Sequence, residues 1–359
     1  MEMQFNPDML TLAREARGLS QTELAEDIGI TQGKLSKYES GLLAVSREDL
    51  QDLCRVLNFP ESFFRQPDRL TGCGSVCNFF RKRQSMGIRQ LRKIQAETNL
   101  LRLQFKQLMY RAEIDSPLKL HRMDIADYDG GAEQIAQLVR ASWNMPLGPI
   151  ANLTEAVETV GGVVFQCDFG TNKVDAISNW SSGMPPLFFV NATAPADRKR
   201  YSLCHEIGHL IMHYVPTNNQ EAEADRFASE FLMPAREIAS ELHDLTIPRL
   251  AALKQYWKVS MAALIRRAYD LEKISERSYR HLFTKLSALG YRKSEPSPLP
   301  EEKPRLVSDI LQMYKSYHGY SNRELAALVH LTENEFVQRF KLDGASSGTT
   351  RPPLKLKMA

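Results

Sequence analysis

The sequence lacks any apolar run approaching the ~18 residues that a membrane-spanning helix needs, so no membrane partner is expected. Its opening, Met1-Glu-Met-Gln-Phe-Asn-Pro-Asp8, has no basic segment followed by an apolar one, and no export signal is read there. Cysteine is scarce and odd in number. Cys54, Cys73, Cys77, Cys167 and Cys204 are scattered without the spacing of a disulfide framework, which fits a reducing cytoplasm. Cys73 and Cys77 have the spacing of half a metal site, but no second Cys/His pair with finger-like spacing follows. Net charge is only +3, so nothing global demands a nucleic-acid partner.

What is present is an ordinary globular composition, 43% hydrophobic and 25% charged, in 359 residues. At about 100–200 residues per domain, that length implies two or three domains with real cores. Positive charge is concentrated locally: residues 80–122 hold eleven Lys and Arg against three acids.

The first 57 residues read as four short helices. Met9–Arg17 has apolar residues at helical spacing and stops at Gly18; Ser20 with Glu23 forms a capping box, and Gly29 closes that second helix. Thr31 caps Gln32–Ser40, which ends at Gly41, and a fourth helix runs from Ser46 to about Leu57. Two short helices joined by a tight glycine turn fit a DNA-reading helix-turn-helix, and also a plain four-helix packing.

The run from Leu19 to Gly41, Leu-Ser-Gln-x-x-Leu-Ala-x-x-x-Gly-Ile-x-x-x-x-Leu-Ser-x-Tyr-Glu-x-Gly, closely resembles the Cro/phage-repressor (XRE) type of domain. By that resemblance Gln32, Lys34, Ser36 and Lys37 face the major groove, and Gln21 sits where the second helix meets the phosphate backbone. The chemistry agrees, since Gln reads adenine bidentately and Lys reaches guanine acceptors or phosphate. Gly33 departs from the polar side chain often found there, which removes one expected base contact. A double-stranded DNA operator is the implied partner, with a homodimer on a palindromic site.

From Phe79 to about Tyr110 the chain is Arg-rich and helical. It reads as an amphipathic connector with a solvated charged face, with extra phosphate contacts or a dimer helix as alternatives. Helices follow from Gly130-Gly131 to about Trp143 and from Leu153 to Val160. The period then changes: 162–168, 174–178 and Leu187–Asn191 are short, branched or aromatic stretches bounded by Gly, Pro and Asn, and read as strands of a small sheet. Leu187–Asn191 is the strand expected to hold an extended substrate by strand addition.

A helix from about Ala196 carries His205-Glu206-x-x-His209. At i and i+4 the two imidazoles share a face and can grip one cation, with Glu206 toward the attacking water. A hydrolytic zinc needs a third donor, and the next helix, from about Asn219 to Leu232, offers Glu221 and Glu223. Glu221 is in phase with Asp225 one turn on, where a carboxylate can accept the N–H of a ligating histidine; Glu223 lies on another face. His213 continues the histidine stripe, but i to i+8 spans about 12 Å of helix axis, too far for three imidazoles on one ion. It reads as a helix-end residue or one behind the ligands. Cys204 reads as a small buried residue, with a redox-sensitive thiol as the alternative.

Arg198-x-Arg200-Tyr-Ser-Leu-Cys-His205-Glu-Ile-Gly-His209-Leu-Ile-Met-His213, followed by Glu221-x-x-Ala-Asp-x-Phe-Ala-x-x-Phe-Leu-Met233-Pro234, resembles the ImmA/IrrE family of metallopeptidases over roughly residues 130–245. The resemblance implies a gluzincin-like fold, a Zn2+ cofactor held by His205, His209 and Glu221, Glu206 as base and Asp225 behind a ligand. It also implies a protein substrate, typically a transcriptional repressor. Spacing does not choose an oxyanion donor among Tyr201, His243 and Tyr256.

The expected fold class is multidomain: an all-α helix-turn-helix domain, an α+β metallopeptidase domain with a small sheet, and a helical C-terminal region. The boundaries read as 1–70 for the reader, 71–128 for the basic connector and 129–245 for the peptidase-like domain. A helix-turn-helix-like segment at 246–295, a Pro-rich linker at 296–304, C-terminal helices at 305–343 and a disordered tail at 344–359 complete the chain. The functional expectation is a cytoplasmic DNA-binding zinc metallopeptidase that couples operator binding to cleavage of a protein. Two alternatives stand beside it: a regulator whose peptidase-like domain senses a ligand or metal without turnover, and a toxin–antitoxin component.

Overall fold

The computed structural model describes residues 5–68, 86–110, 112–116, 118–340 and 355–357. They form two compact units: one joins the chain up to Asp115 with the chain from Arg305 onward, and the other is Ser116–Pro304.

The first unit begins with α1 (Pro7–Ala16), α2 (Gln21–Asp27), α3 (Gln32–Glu39) and α4 (Arg47–Leu57). Asn6, Ser20, Thr31 and Ser46 each accept a backbone N–H at a helix start, a contribution of about 1 kcal/mol apiece. Short helices of this kind are held by their shared core, in which Met9, Leu10, Leu24, Leu35, Leu53 and Phe64 are buried. The expected reader architecture is thus present.

The basic stretch is an amphipathic helix with a solvated charged face, as expected, but it is part of the first unit and not only a connector. Its helix α5 (Ile88–Leu108) buries Leu91, Ile94, Leu100, Leu103, Phe105 and Leu108 and packs along α1. Arg89, Arg92, Lys93 and Lys106 lie on the exposed opposite face, while the apolar stripe builds core. Residues 69–85, including Cys73 and Cys77, lie outside the described residues. A short strand, β1 (Glu113–Asp115), follows.

The second unit contains α6 (Gly131–Ser142), α7 (Leu153–Thr159), β2 (Val163–Cys167), β3 (Ala176–Asn179), β4 (Leu187–Asn191), α8 (Ala196–Met212) and α9 (Gln220–Leu232). The strand order is β2-β4-β3, with β2 parallel and β3 antiparallel to β4. β4, expected to take up an extended substrate, is therefore the central strand with both edges already paired, and the edge strand beside α8 is β3. The hydrophobic run Leu187-Phe-Phe-Val fits a strand covered on both faces.

After α10 (Ala235–Ile238) come α11 (Ile247–Trp257), α12 (Met261–Asp270) and α13 (Glu276–Ala288). They are not a separate segment: Leu250, Trp257, Leu264, Ile265 and Leu286 share one core cluster with Ile207, Phe227 and Phe231 of α8 and α9. Lys254 on α11 is buried between Asp197 at 2.5 Å and Glu295 at 2.8 Å, so removing either carboxylate leaves a poorly compensated buried charge. The Pro-rich stretch 296–304 is not a free spacer either. Glu302 pairs with Arg200 and accepts the backbone N–H of Thr154, and Glu301 pairs with Lys199 at 2.6 Å. Proline fixes the extended backbone, while the two glutamates beside it meet buried cations.

Three further helices, α14 (Leu306–His318), α15 (Asn322–Leu328) and α16 (Glu333–Phe340), belong to the first unit rather than standing alone. Tyr314 is buried and donates its hydroxyl to Leu108 O at 2.6 Å; Glu335 meets Arg17 and Asn58, each at 3.2 Å. The α15–α16 pair repeats α2–α3 in helix lengths, in its Ser321/Glu324 capping box and in its turn. Leu331 N bonds Ala326 O at 2.9 Å as Ile30 N bonds Ala25 O at 2.9 Å, and His330 takes the left-handed conformation that Gly29 takes in the first pair. From the tail, read as disordered, Lys355–Lys357 forms β5 antiparallel to β1. Among the described residues no helix is long and apolar enough to cross a membrane.

Candidate functional site

The site is built where α8 and α9 cross. Gly208 lies between the two histidines in sequence and against α9, where an added Cβ would sit 3.1 Å from Phe227 Cδ1. Bare backbone there lets α9 lie against α8 and bring its first-turn acids to the histidine face.

The structure brings His205, His209 and Glu221 together, with donor atoms all within 4.8 Å of one another. His205 Nε2 faces His209 Nε2 at 3.0 Å, and the Glu221 carboxylate lies 3.7 Å from the first and 3.6 Å from the second. Donors held at zinc bond lengths of about 2.05 Å in a tetrahedron stand about 3.3 Å apart, so the spacing suits one such ion. Glu221 Oε1 is buried and has no hydrogen-bond partner, a costly arrangement for a carboxylate unless a cation meets it. Two imidazole nitrogens and a carboxylate oxygen are also the donor types zinc takes. The residues present therefore fit the ion.

Asp225 accepts from His205 Nδ1 at 2.8 Å, which leaves Nε2 of that ring to face the pocket. Burial works against charge on His205, but the Asp225 bond and the neighbouring Glu206 and Glu221 carboxylates outweigh it and hold its pKa above the ordinary histidine value. Glu206 is buried and accepts the hydroxyl proton of Ser178, on β3, at 2.6 Å. Ser178 was not legible as a site residue, since its strand offered no motif. Glu223, the competitor of Glu221, instead meets His213 at 3.0 Å.

Of the three oxyanion candidates, Tyr201 is bonded to Asp225 O at 3.2 Å and Ser229 at 3.1 Å, and burial pushes its phenol pKa up. Tyr256 stacks edge-on to Trp257, and His243 is exposed. Cys204 is fully buried, and burial raises its thiol pKa, which matches a packing residue and not a reactive thiolate.

In the first unit, Gln32 donates to Gln21 at 2.7 Å, Gln21 donates to Glu39 at 2.7 Å, and Arg14 grips Glu39 with two nitrogens at 2.6 and 3.0 Å. This chain joins α1, α2 and α3 and fixes the glutamine ends. Gln32 and Lys37 are exposed, Ser36 and Gln21 are half-buried, and nothing lies within 4 Å of where a Gly33 side chain would begin. Lys34 departs from expectation. Its ammonium is held by Asp49 of α4 at 2.7 Å and lies over the Tyr38 ring, so it anchors α3 instead of extending outward.

Residues 8–62 match the model of a helix-turn-helix domain, and residues 157–269 match that of the IrrE N-terminal-like domain of peptidase family M78. Two curated relatives, an uncharacterised helix-turn-helix-type transcriptional regulator of Sinorhizobium medicae and one of Rhizobium meliloti, are each 42% identical over 55 residues, 15% of this chain. The chain spans 40% of the length of those relatives. A helix-turn-helix domain and an IrrE N-terminal-like domain are thus joined in one chain.

Proposed function

We propose that this chain is a DNA-binding zinc metallopeptidase regulator that cleaves a partner transcriptional repressor or regulatory protein. The observation that carries the reading is the convergence of His205 Nε2, His209 Nε2 and the Glu221 carboxylate, with the buried Glu206 carboxylate in the same helix turn.

In this reading His205, His209 and Glu221 hold the ion, and Asp225 fixes the ring of His205. Zinc held there supplies Lewis-acid polarisation of a carbonyl and lowers the pKa of water toward about 7. Glu206 takes the proton of the attacking water and returns it to the leaving amine nitrogen. Ser178 occupies one lone pair of Glu206 Oε2 and fixes the plane in which the carboxylate works. On DNA, Gln32 and Lys37 reach bases or phosphates, Ser36 lies beside them, Gln21 meets the backbone, and a second copy of the chain reads the other half-site. Such a protein acts where the operator is, in the cytoplasm.

The test compares protein N-termini in cells carrying the wild-type chain with those carrying Glu206→Gln, which keeps the volume but removes the base. New N-termini that appear only with wild type identify the substrate and support turnover. Identical sets would remove the peptidase reading and leave a regulator that senses metal or ligand without cleavage.

A further inference from the structure

His209 does not face only the pocket. Its Nδ1 lies 2.9 Å from Nδ1 of His213; His213 Nε2 lies 3.0 Å from Glu223 Oε2, and Thr217 donates its hydroxyl to that same oxygen at 2.8 Å. Four residues apart, His209 and His213 share a helix face, and the first of these contacts closes at the helix end. It arises because α8 ends at His213, whose backbone leaves helical geometry at φ −110° and ψ 47° while its N–H still bonds His209 O. The ring is thereby turned back onto His209.

The proton positions follow from the geometry. A histidine that offers Nε2 to a cation carries its proton on Nδ1. His209 Nδ1–H must then donate to a bare Nδ1 on His213, which leaves His213 protonated on Nε2, and that N–H donates to the Glu223 carboxylate. A carboxylate accepting from Thr217 and from His213 is itself fixed in place. The opposite tautomer of His213 would set two N–H groups against each other and leave Glu223 facing a lone pair.

We infer that His213 and Glu223 are positioning residues of the metal centre, acting in series to fix the tautomer and orientation of His209. Both facing imidazoles are then backed by a carboxylate of α9: His205 directly by Asp225, and His209 through His213 by Glu223. This rests on the reading that His205, His209 and Glu221 hold zinc, but not on any turnover. It also gives the glutamate at position 223 a role that its phase on α9 denies it as a ligand.

The test is the zinc affinity of the purified full chain, measured by competition with a chromophoric chelator. His213→Ala and Glu223→Ala are each expected to weaken binding by about 10–100-fold, the usual effect of removing a partner behind a ligand. The double variant is expected to lose no more than the larger single one, because the two act in series. Glu223→Gln keeps the volume and an acceptor oxygen, so it recovers part of the loss and shows that the fold is intact. Histidine-selective proton–nitrogen spectra of the zinc form should find His213 protonated on Nε2. Unchanged affinity in His213→Ala, additive losses in the double variant, or a His213 proton on Nδ1 would each overturn the inference. Wild-type protein that binds zinc, shows the series behaviour and cleaves nothing would leave this inference standing and remove the peptidase reading.

Discussion

Gly208 and Phe227 set how closely the two site helices approach, since a methyl group at Gly208 would lie 3.1 Å from Phe227 Cδ1 and 3.3 Å from its Cβ. Phe227 is itself buried against Phe231, with stacked rings 5.5 Å apart, and has little room to move. Gly208→Ala gains up to about 1 kcal/mol of helix propensity but meets an overpacking cost of about 1–3 kcal/mol. The expected result is a lower thermal midpoint together with a lower zinc content, read by elemental analysis. A variant with a raised midpoint and full zinc would show that α9 shifts freely.

Ser178 is expected to matter for rate more than for substrate binding. A hydrogen bond to a charged group contributes about 1.5–3 kcal/mol, and Ser178→Ala leaves the Glu206 carboxylate without that donor. The prediction is a kcat lower by about tenfold or more, corresponding to at least ~1.4 kcal/mol, with KM nearly unchanged and zinc content intact. Ser178→Thr, which keeps the hydroxyl, is expected to recover much of the loss. An effect confined to KM would instead mark Ser178 as a substrate contact.

Acid should weaken the reader unit through Asp49. Burial opposes ionisation of Asp49, but Lys34, the Tyr38 hydroxyl and Ser46 outweigh it and hold its carboxyl below the ordinary value. A depressed folded-state pKa contributes stability that is fully present above the unfolded value of about 3.9 and is lost as pH falls through the folded value. Denaturant midpoints of wild type and Asp49→Asn should therefore differ most near neutrality and converge as the pH is taken below about 4. A constant gap across that range would mean that the charge of Asp49 contributes nothing.

Lys34 and Lys37 should separate cleanly. Lys37→Ala is expected to weaken DNA binding almost uniformly across sequences and to reduce the salt slope by about one, as for a phosphate contact. Lys34→Ala is expected to lower the unfolding midpoint, because it leaves the nearly buried Asp49 without its cation. Gln32→Ala should lose about 1–3 kcal/mol on a preferred site and far less on random DNA. Gel-shift titrations at several salt concentrations, alongside thermal melts, distinguish the three.

The parts legible in the sequence were those fixed by local periodicity. Ser20 with Glu23 announced a helix start, and His205 and His209 had to share a face once their stretch was helical. Glu221 followed from its phase with Asp225. What escaped depends on contacts between elements distant in sequence. Lys34 looked like a groove residue because its partner, Asp49, sits on a later helix. The prolines around Glu302 spelled an extended chain but not the Arg200 guanidinium that meets that carboxylate. The Glu335–Arg17 pair that ties α16 to the first helices joins residues far apart in sequence, and no local pattern carries it. His213 is legible as a helix-end residue or one behind the ligands, whereas its bond to Glu223 joins two helices and no local pattern carries it.

The first unit is assembled from two stretches of sequence, one running to Asp115 and one starting at Arg305, with Tyr314 and Glu335 closing onto Leu108 and Arg17. During synthesis the reader helices emerge first, yet α14–α16 cannot reach them until all of residues 116–304 has left the ribosome. A nascent or prematurely terminated chain therefore presents DNA-reading helices without their closing layer. The site-bearing unit is translated between the two stretches that make up the first unit, so the first unit closes only after residues 116–304 have emerged.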